Sequence, residues 1–159
     1  MSLPRPQSND PEAIRQAISA AFDMIEKGRY ELVYNEITSN VSITATNEAS
    51  ANTVVTASSV EALGSPLVIE FFTPRATSGS TWVSFFLYQD GSSIGNWGGP
   101  VGATANSVFL ARRLTPALGS HIYSVRASVD GGTGTVSAGV GGSGNFLPAF
   151  IRIKRVSAY

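Results

Sequence analysis

A chain of 159 residues is ordinarily one domain with room for a small extra element at an end. Apolar residues make up 43% and charged residues only 14%, against roughly 25% charged in an average soluble domain, a balance that argues against disorder. Eleven basic and eleven acidic residues cancel, so the basic excess typical of nucleic-acid binding is absent, and without cysteine there is no disulfide framework or thiolate metal site.

So few charges suit a protein that buries part of its surface against neighbours, although Ser, Thr and Gly could equally do the solvating. The start, Met1-Ser2-Leu3-Pro4-Arg5-Pro6, lacks the apolar run of a signal peptide. Together with the absence of cysteine, this weakly favours assembly inside a cell. No apolar run approaches the length of a membrane span, so no membrane partner is expected.

Residues 1–9 are polar with two prolines and read as an extended arm. Asp10 is a good N-cap, Pro11 suits the first helical position and Glu12 complements the helix dipole. A helix is predicted from there through Lys27, with Gly28 as a natural stop. Ile14, Ile18, Ala21 and Ile25 are spaced four, three and four apart, an a/d seam whose isoleucines favour trimers. The same face could instead pack on the chain's own β domain, because two heptads are too few for a free-standing coiled coil. Residues 29–37 fit a strand or a further helical turn, and the pattern does not choose between them.

From Val41 the reading is β. Val41, Ile43 and Ala45 alternate with polar residues, and Val54–Val60 is a weaker strand. Leu67–Phe72 is apolar except for Glu70, which is expected to pair with Arg112 or Arg126. Thr81–Gln89 is apolar on both faces: Val83, Phe85 and Leu87 on one, Trp82, Phe86 and Tyr88 on the other. The second face carries more aromatic surface than a lone domain leaves wet, so another sheet or a partner subunit is expected to cover it. Asp90-Gly91 turns into a short strand around Ile94–Trp97, and Val108–Leu114 follows. A strand over His121–Val129 reaches the hairpin signal Asp130-Gly131-Gly132, then Val136–Val140, and a last strand carries Ala149, Ile151 and Ile153. Eight or nine strands without helical crossovers predict a jelly-roll-type antiparallel β-sandwich behind a short N-terminal helix. The expected division is an arm-and-helix region over 1–37 and a sandwich over 38–159.

The chemistry-bearing residues are sparse. His121 is the one histidine and reads as structural, and no cofactor or metal site is expected. No carboxylate pair stands out as a glycosidase acid and nucleophile, and no serine sits in Gly-x-Ser-x-Gly. Gly139-Val140-Gly141-Gly142-Ser143-Gly144 matches G-x-G-x-x-G, but a strand follows it where a dinucleotide site needs a helix, so a close-packed loop is expected. Trp97, within Gly95-Asn96-Trp97-Gly98-Gly99, is either a sugar-stacking platform or a core-edge tryptophan.

Three segments resemble a β module of tailed-bacteriophage virion proteins: Ser65-Pro66-Leu67-Val68-Ile69-Glu70-Phe71-Phe72, Ala111–Pro116 and Gly119–Ala127. The ending Gly142–Ile153 belongs to the same pattern, and the resemblance covers roughly residues 40–156. It implies a jelly-roll domain similar to trimeric tumour-necrosis-factor-like heads, on a non-enzymatic homotrimeric virion component assembled in the host cytoplasm. A chain with so short a stalk is most similar to a capsid decoration or head-fibre protein. Its implied trimer contacts are Ile14, Ile18, Ala21, Ile25, Trp82, Phe86 and Tyr88, and its implied contact with a major capsid protein is the arm Leu3, Pro4, Arg5 and Pro6. The alternative is a receptor- or carbohydrate-binding tip that touches a host-surface glycan through Trp97.

Overall fold

The computed structural model describes residues 11–27, 31–79, 81–99 and 105–156, with the side chains of 21–27 excepted. The helix α1 runs from Pro11 to Lys27 with Glu12 in its first turn. Ile14 and Ile18 are exposed on it. The Ala21 and Ile25 side chains and the arm residues Leu3, Pro4, Arg5 and Pro6 lie outside what is described.

A separate compact unit spans Glu31–Val156. Its first strand, β1 (Glu31–Ile37), resolves the ambiguity of 29–37 for the described part of that stretch, and it moves the boundary expected at 37/38 toward the N-terminus. There follow β2 (Val41–Ile43), β3 (Asn52–Thr56), β4 (Val60–Ala62), β5 (Leu67–Thr77), β6 (Val83–Gln89) and β7 (Ser92–Gly98). The second half holds β8 (Asn106–Leu114), β9 (Gly119–His121), β10 (Tyr123–Val129), β11 (Gly134–Ser137) and β12 (Ala149–Arg155).

The strands form two antiparallel sheets and a small ribbon. One sheet has the order β1-β12-β5-β11-β2, with β8 also paired to β5. The other has the order β3-β10-β6-β7, and β4 pairs with β9 alone. Neighbours far apart in sequence, such as β1 beside β12 and β3 beside β10, make this the jelly-roll-type sandwich that the turn spacing predicted. Period-2 alternation places Leu67, Ile69 and Phe71 of β5 inward, with Phe85 and Leu87 of β6 facing them. The rings of Phe71 and Phe85 meet between the sheets at 5.1 Å.

Two local features differ from the sequence expectation for physical reasons. The strand predicted to stop before Pro74 continues to Thr77, because the register with β8 shifts between Thr73 and Ala76 and the proline lacks a ladder N–H to lose. The strand predicted across His121–Val129 splits after His121, where Asp90 accepts the Ile122 N–H at 2.8 Å and Ala57 N–H donates to the Tyr123 carbonyl. The G-x-G-x-x-G segment is a loop between β11 and β12, as expected. A Cβ on Gly139 would lie 2.6 Å from the Phe146 carbonyl oxygen, and Gly141, Gly142 and Gly144 have positive φ.

Candidate functional site

Two surfaces of the sandwich carry chemistry-bearing side chains, one on each sheet. The first is the outward face of the larger sheet. Register places Phe72 of β5 opposite Phe150 of β12 on one side and opposite Phe109 of β8 on the other. Tyr34 of β1 is diagonal to Phe150, with ring centroids 5.1 Å apart, and Phe72 and Phe150 are 5.6 Å apart. Four aromatic rings therefore cross four adjacent strands, a span of roughly 14 Å at the usual strand spacing. Phe109 is 58% exposed and Tyr34 45%.

Alongside that row runs an ion cluster. Arg152 Nε and Nη2 donate to Glu70 Oε2 at 2.7 and 2.6 Å, and Lys154 Nζ donates to Oε1 at 2.5 Å. Arg152 also approaches Glu31 at 4.0 Å. Burial pushes the Glu70 carboxyl up, but hydrogen bonds from Lys154 and Arg152, and their charges, bring it to a net position below its ordinary value. The partners expected for Glu70 were Arg112 or Arg126, and this is corrected: β12 lies beside β5 and sets Arg152 directly opposite Glu70. Arg112 instead donates to the Ile94 carbonyl.

The second surface lies on the outward face of the smaller sheet. Here Phe86 and Tyr88 are each 5% exposed and cluster with Ala51. The aromatic face expected to need a partner is thus largely covered by the chain's own segment ahead of β3, and Trp82 alone of the three remains exposed. The Tyr88 hydroxyl donates to the Glu48 carbonyl at 2.6 Å, which holds that segment down. Arg126 of β10 lies over the Tyr88 ring, 4.1 Å from its centroid. Glu48, Ala49, Tyr88, Gly91, Ser93 and Arg126 line an open cleft of about 450 Å³. The Ser93 hydroxyl donates to Glu48 Oε1 at its rim.

Trp97 does not offer the free stacking surface considered for it. It is half-buried against the core, and its Nε1–H is buried with no acceptor among the described residues. His121 sits outside both surfaces. In its protonated form it donates from Nδ1 to Asp90 Oδ2 at 2.7 Å and from Nε2 to the Ala117 carbonyl at 3.0 Å. The nitrogen that would take a proton from a nucleophile is therefore committed to a backbone carbonyl. Among the described residues, no group of three or more His, Cys, Asp or Glu could hold a metal.

Comparison with known proteins adds little to this geometry. No family model matches the chain, and no curated protein matches it. Several solved structures are similar at a distance, two of them as follows. One is the C-terminal domain of EclA, described as a sugar-binding protein, with 19% identity and a TM-score of 0.39 over 76% of this chain and 77% of that one. The other is the Clostridium thermocellum xylanase 10B CBM22-1–GH10 modules complexed with xylohexaose, with 10% identity and a TM-score of 0.42. That match covers 82% of this chain but 29% of the xylanase chain. Likeness at this level carries no functional argument.

No local pattern in the sequence marks Tyr34, Phe72, Phe109 and Phe150 as one row. Each residue was visible as the outward partner of an apolar strand residue, but only the strand order brings the four together.

Proposed function

We propose that this chain is a non-catalytic structural protein that works by self-association, as a homotrimeric component of a tailed-phage virion. The observation that carries self-association is the row of four aromatic rings across the larger sheet, which ends in the exposed side chains of Phe109 and Tyr34. Flat aromatic surface of this kind is what an interface core is made of. The chain's zero net charge means that copies do not repel one another, so a second copy suits this face. On the helix, exposed Ile14 and Ile18 offer a further apolar seam for self-association. The virion setting rests on the sequence resemblance, with the N-terminal arm as the attachment to a major capsid protein.

Light scattering over a concentration series tests the reading. The expected mass is three chains, reduced toward one by Phe109→Lys. A wild-type chain that stays monomeric at every concentration overturns it. Co-sedimentation with capsids, lost when residues 1–10 are removed, tests the attachment.

A second reading is favoured by the cleft. Its cationic, anionic and hydroxyl side chains are groups that hold polyhydroxylated ligands, so the smaller sheet is a glycan-binding face directed away from the assembly. An NMR titration with simple sugars tests it, with shifts expected at Ala49, Gly91 and Ser93.

A further inference from the structure

We infer that the cleft beside Tyr88 selects a sugar bearing one carboxylate, with Arg126 as its anion-binding residue. The inference rests on the glycan reading of that cleft and names the ligand class.

Arg126 is half-buried and has no carboxylate partner within ion-pair distance among the described residues. Its Nε–H is buried without an acceptor, so its compensation is the π face of Tyr88, 4.1 Å away. A partly desolvated guanidinium of this kind gains more from an arriving carboxylate than a fully hydrated one does. It is also held in place. It projects from β10, between β3 and β6, and the ring beneath it is anchored by the hydroxyl's bond to the Glu48 carbonyl. The terminal nitrogens are the part of the side chain left for a ligand in the cleft.

The other lining groups define the rest of the ligand. Ser93 and Glu48, already joined to each other, offer a hydroxyl and a carboxylate to sugar hydroxyls. The Glu48 charge disfavours a ligand carrying several negative charges, such as a phosphate. Arg126 covers the Tyr88 ring, so a neutral sugar finds no free aromatic face there to stack on. Recognition then falls to the charged contact. A volume of about 450 Å³ is ample for one or two sugar rings.

The test is an amide-resolved NMR titration of the full chain with glucuronate, with glucose and with acetate. Glucuronate and glucose differ only at C6. Glucuronate is expected to bind about tenfold or more tightly than glucose, as one charge-assisted contact allows. The largest shifts are expected at Ala49, Gly91 and Ser93. Arg126→Gln is expected to erase the preference and Arg126→Lys to keep part of it. Equal affinities, shifts centred elsewhere, or a preference that survives Arg126→Gln overturn the inference. Acetate binding as well as glucuronate overturns the sugar class. Equal binding of the two sugars leaves the glycan reading standing, whereas binding of neither removes both. If Arg126→Gln does not fold, the wild-type comparison and Arg126→Lys decide.

Discussion

The carboxylate of Asp90 and the imidazole of His121 are joined at 2.7 Å, and this bond ties the β6–β7 turn to the end of β9. Asp90 has a φ of 51° and Gly91 one of 82°, the conformation that a tight hairpin turn demands. Its second oxygen accepts the Ile122 N–H, so one side chain closes the turn and caps the neighbouring strand.

This clasp predicts a pH dependence. The hydrogen bonds to Asp90 and to the Ala117 carbonyl raise His121 above its ordinary 6.5, against a small opposing effect of burial and with help from the charges of Asp90 and Glu61. A raised histidine contributes stability that is fully present below its unfolded value and lost as pH rises through its folded one. The bond to His121, then that to Ile122, lowers Asp90 below its ordinary 3.8, so its contribution is lost as pH falls through the folded value. Melting temperature is expected to fall as pH rises from about 6 to about 8. His121→Gln should flatten that slope, and a proton NMR titration should place His121 above 6.5.

Tyr123 predicts a gain on truncation. Its ring is fully buried, its hydroxyl has no partner among the described residues, and burial pushes its pKa up to about 12. Tyr123→Phe removes an unsatisfied polar atom while keeping the ring, so denaturant unfolding should show a gain of about 1 kcal/mol. A loss of that size would instead mean that the hydroxyl has a partner in solution.

Glu70 predicts the opposite. Glu70→Ala leaves Arg152 and Lys154 close together with their shared carboxylate gone, at an expected cost of about 3 kcal/mol in unfolding experiments. Because the carboxyl sits below its ordinary 4.5, its contribution is present above that value and fades as pH falls through the lower folded one. The variant should therefore lose less stability than the wild type on acidification.

Phe109 separates assembly from folding. It is 58% exposed, so Phe109→Lys should change the stability of an isolated chain by no more than about 0.5 kcal/mol. The same change, or Tyr34→Lys, is expected to weaken self-association measured by sedimentation.

Much of the sandwich was legible because strands announce themselves locally. Alternation marked which side of Leu67–Phe72 and Val83–Gln89 faces inward, and the Asp90-Gly91 and Asp130-Gly131 pairs marked turns. The candidate surfaces were less legible. Trp82, Phe86 and Tyr88 do share a face, but whether that face is wet depends on residues 47–51 folding across it. The partner of Glu70 could not be read either, since three strands carried basic residues at suitable positions.

The helix from Pro11 and the β class of the remainder were determined by the sequence itself, because capping, periodicity and turn chemistry act over a few residues. Strand order was decided only by the tertiary structure, because pairing β5 with both β12 and β8 joins segments some 40 to 80 positions apart through contacts that no local pattern encodes. From that order follow the aromatic row, the Glu70–Arg152 pair, and the stacking of Arg126 on Tyr88.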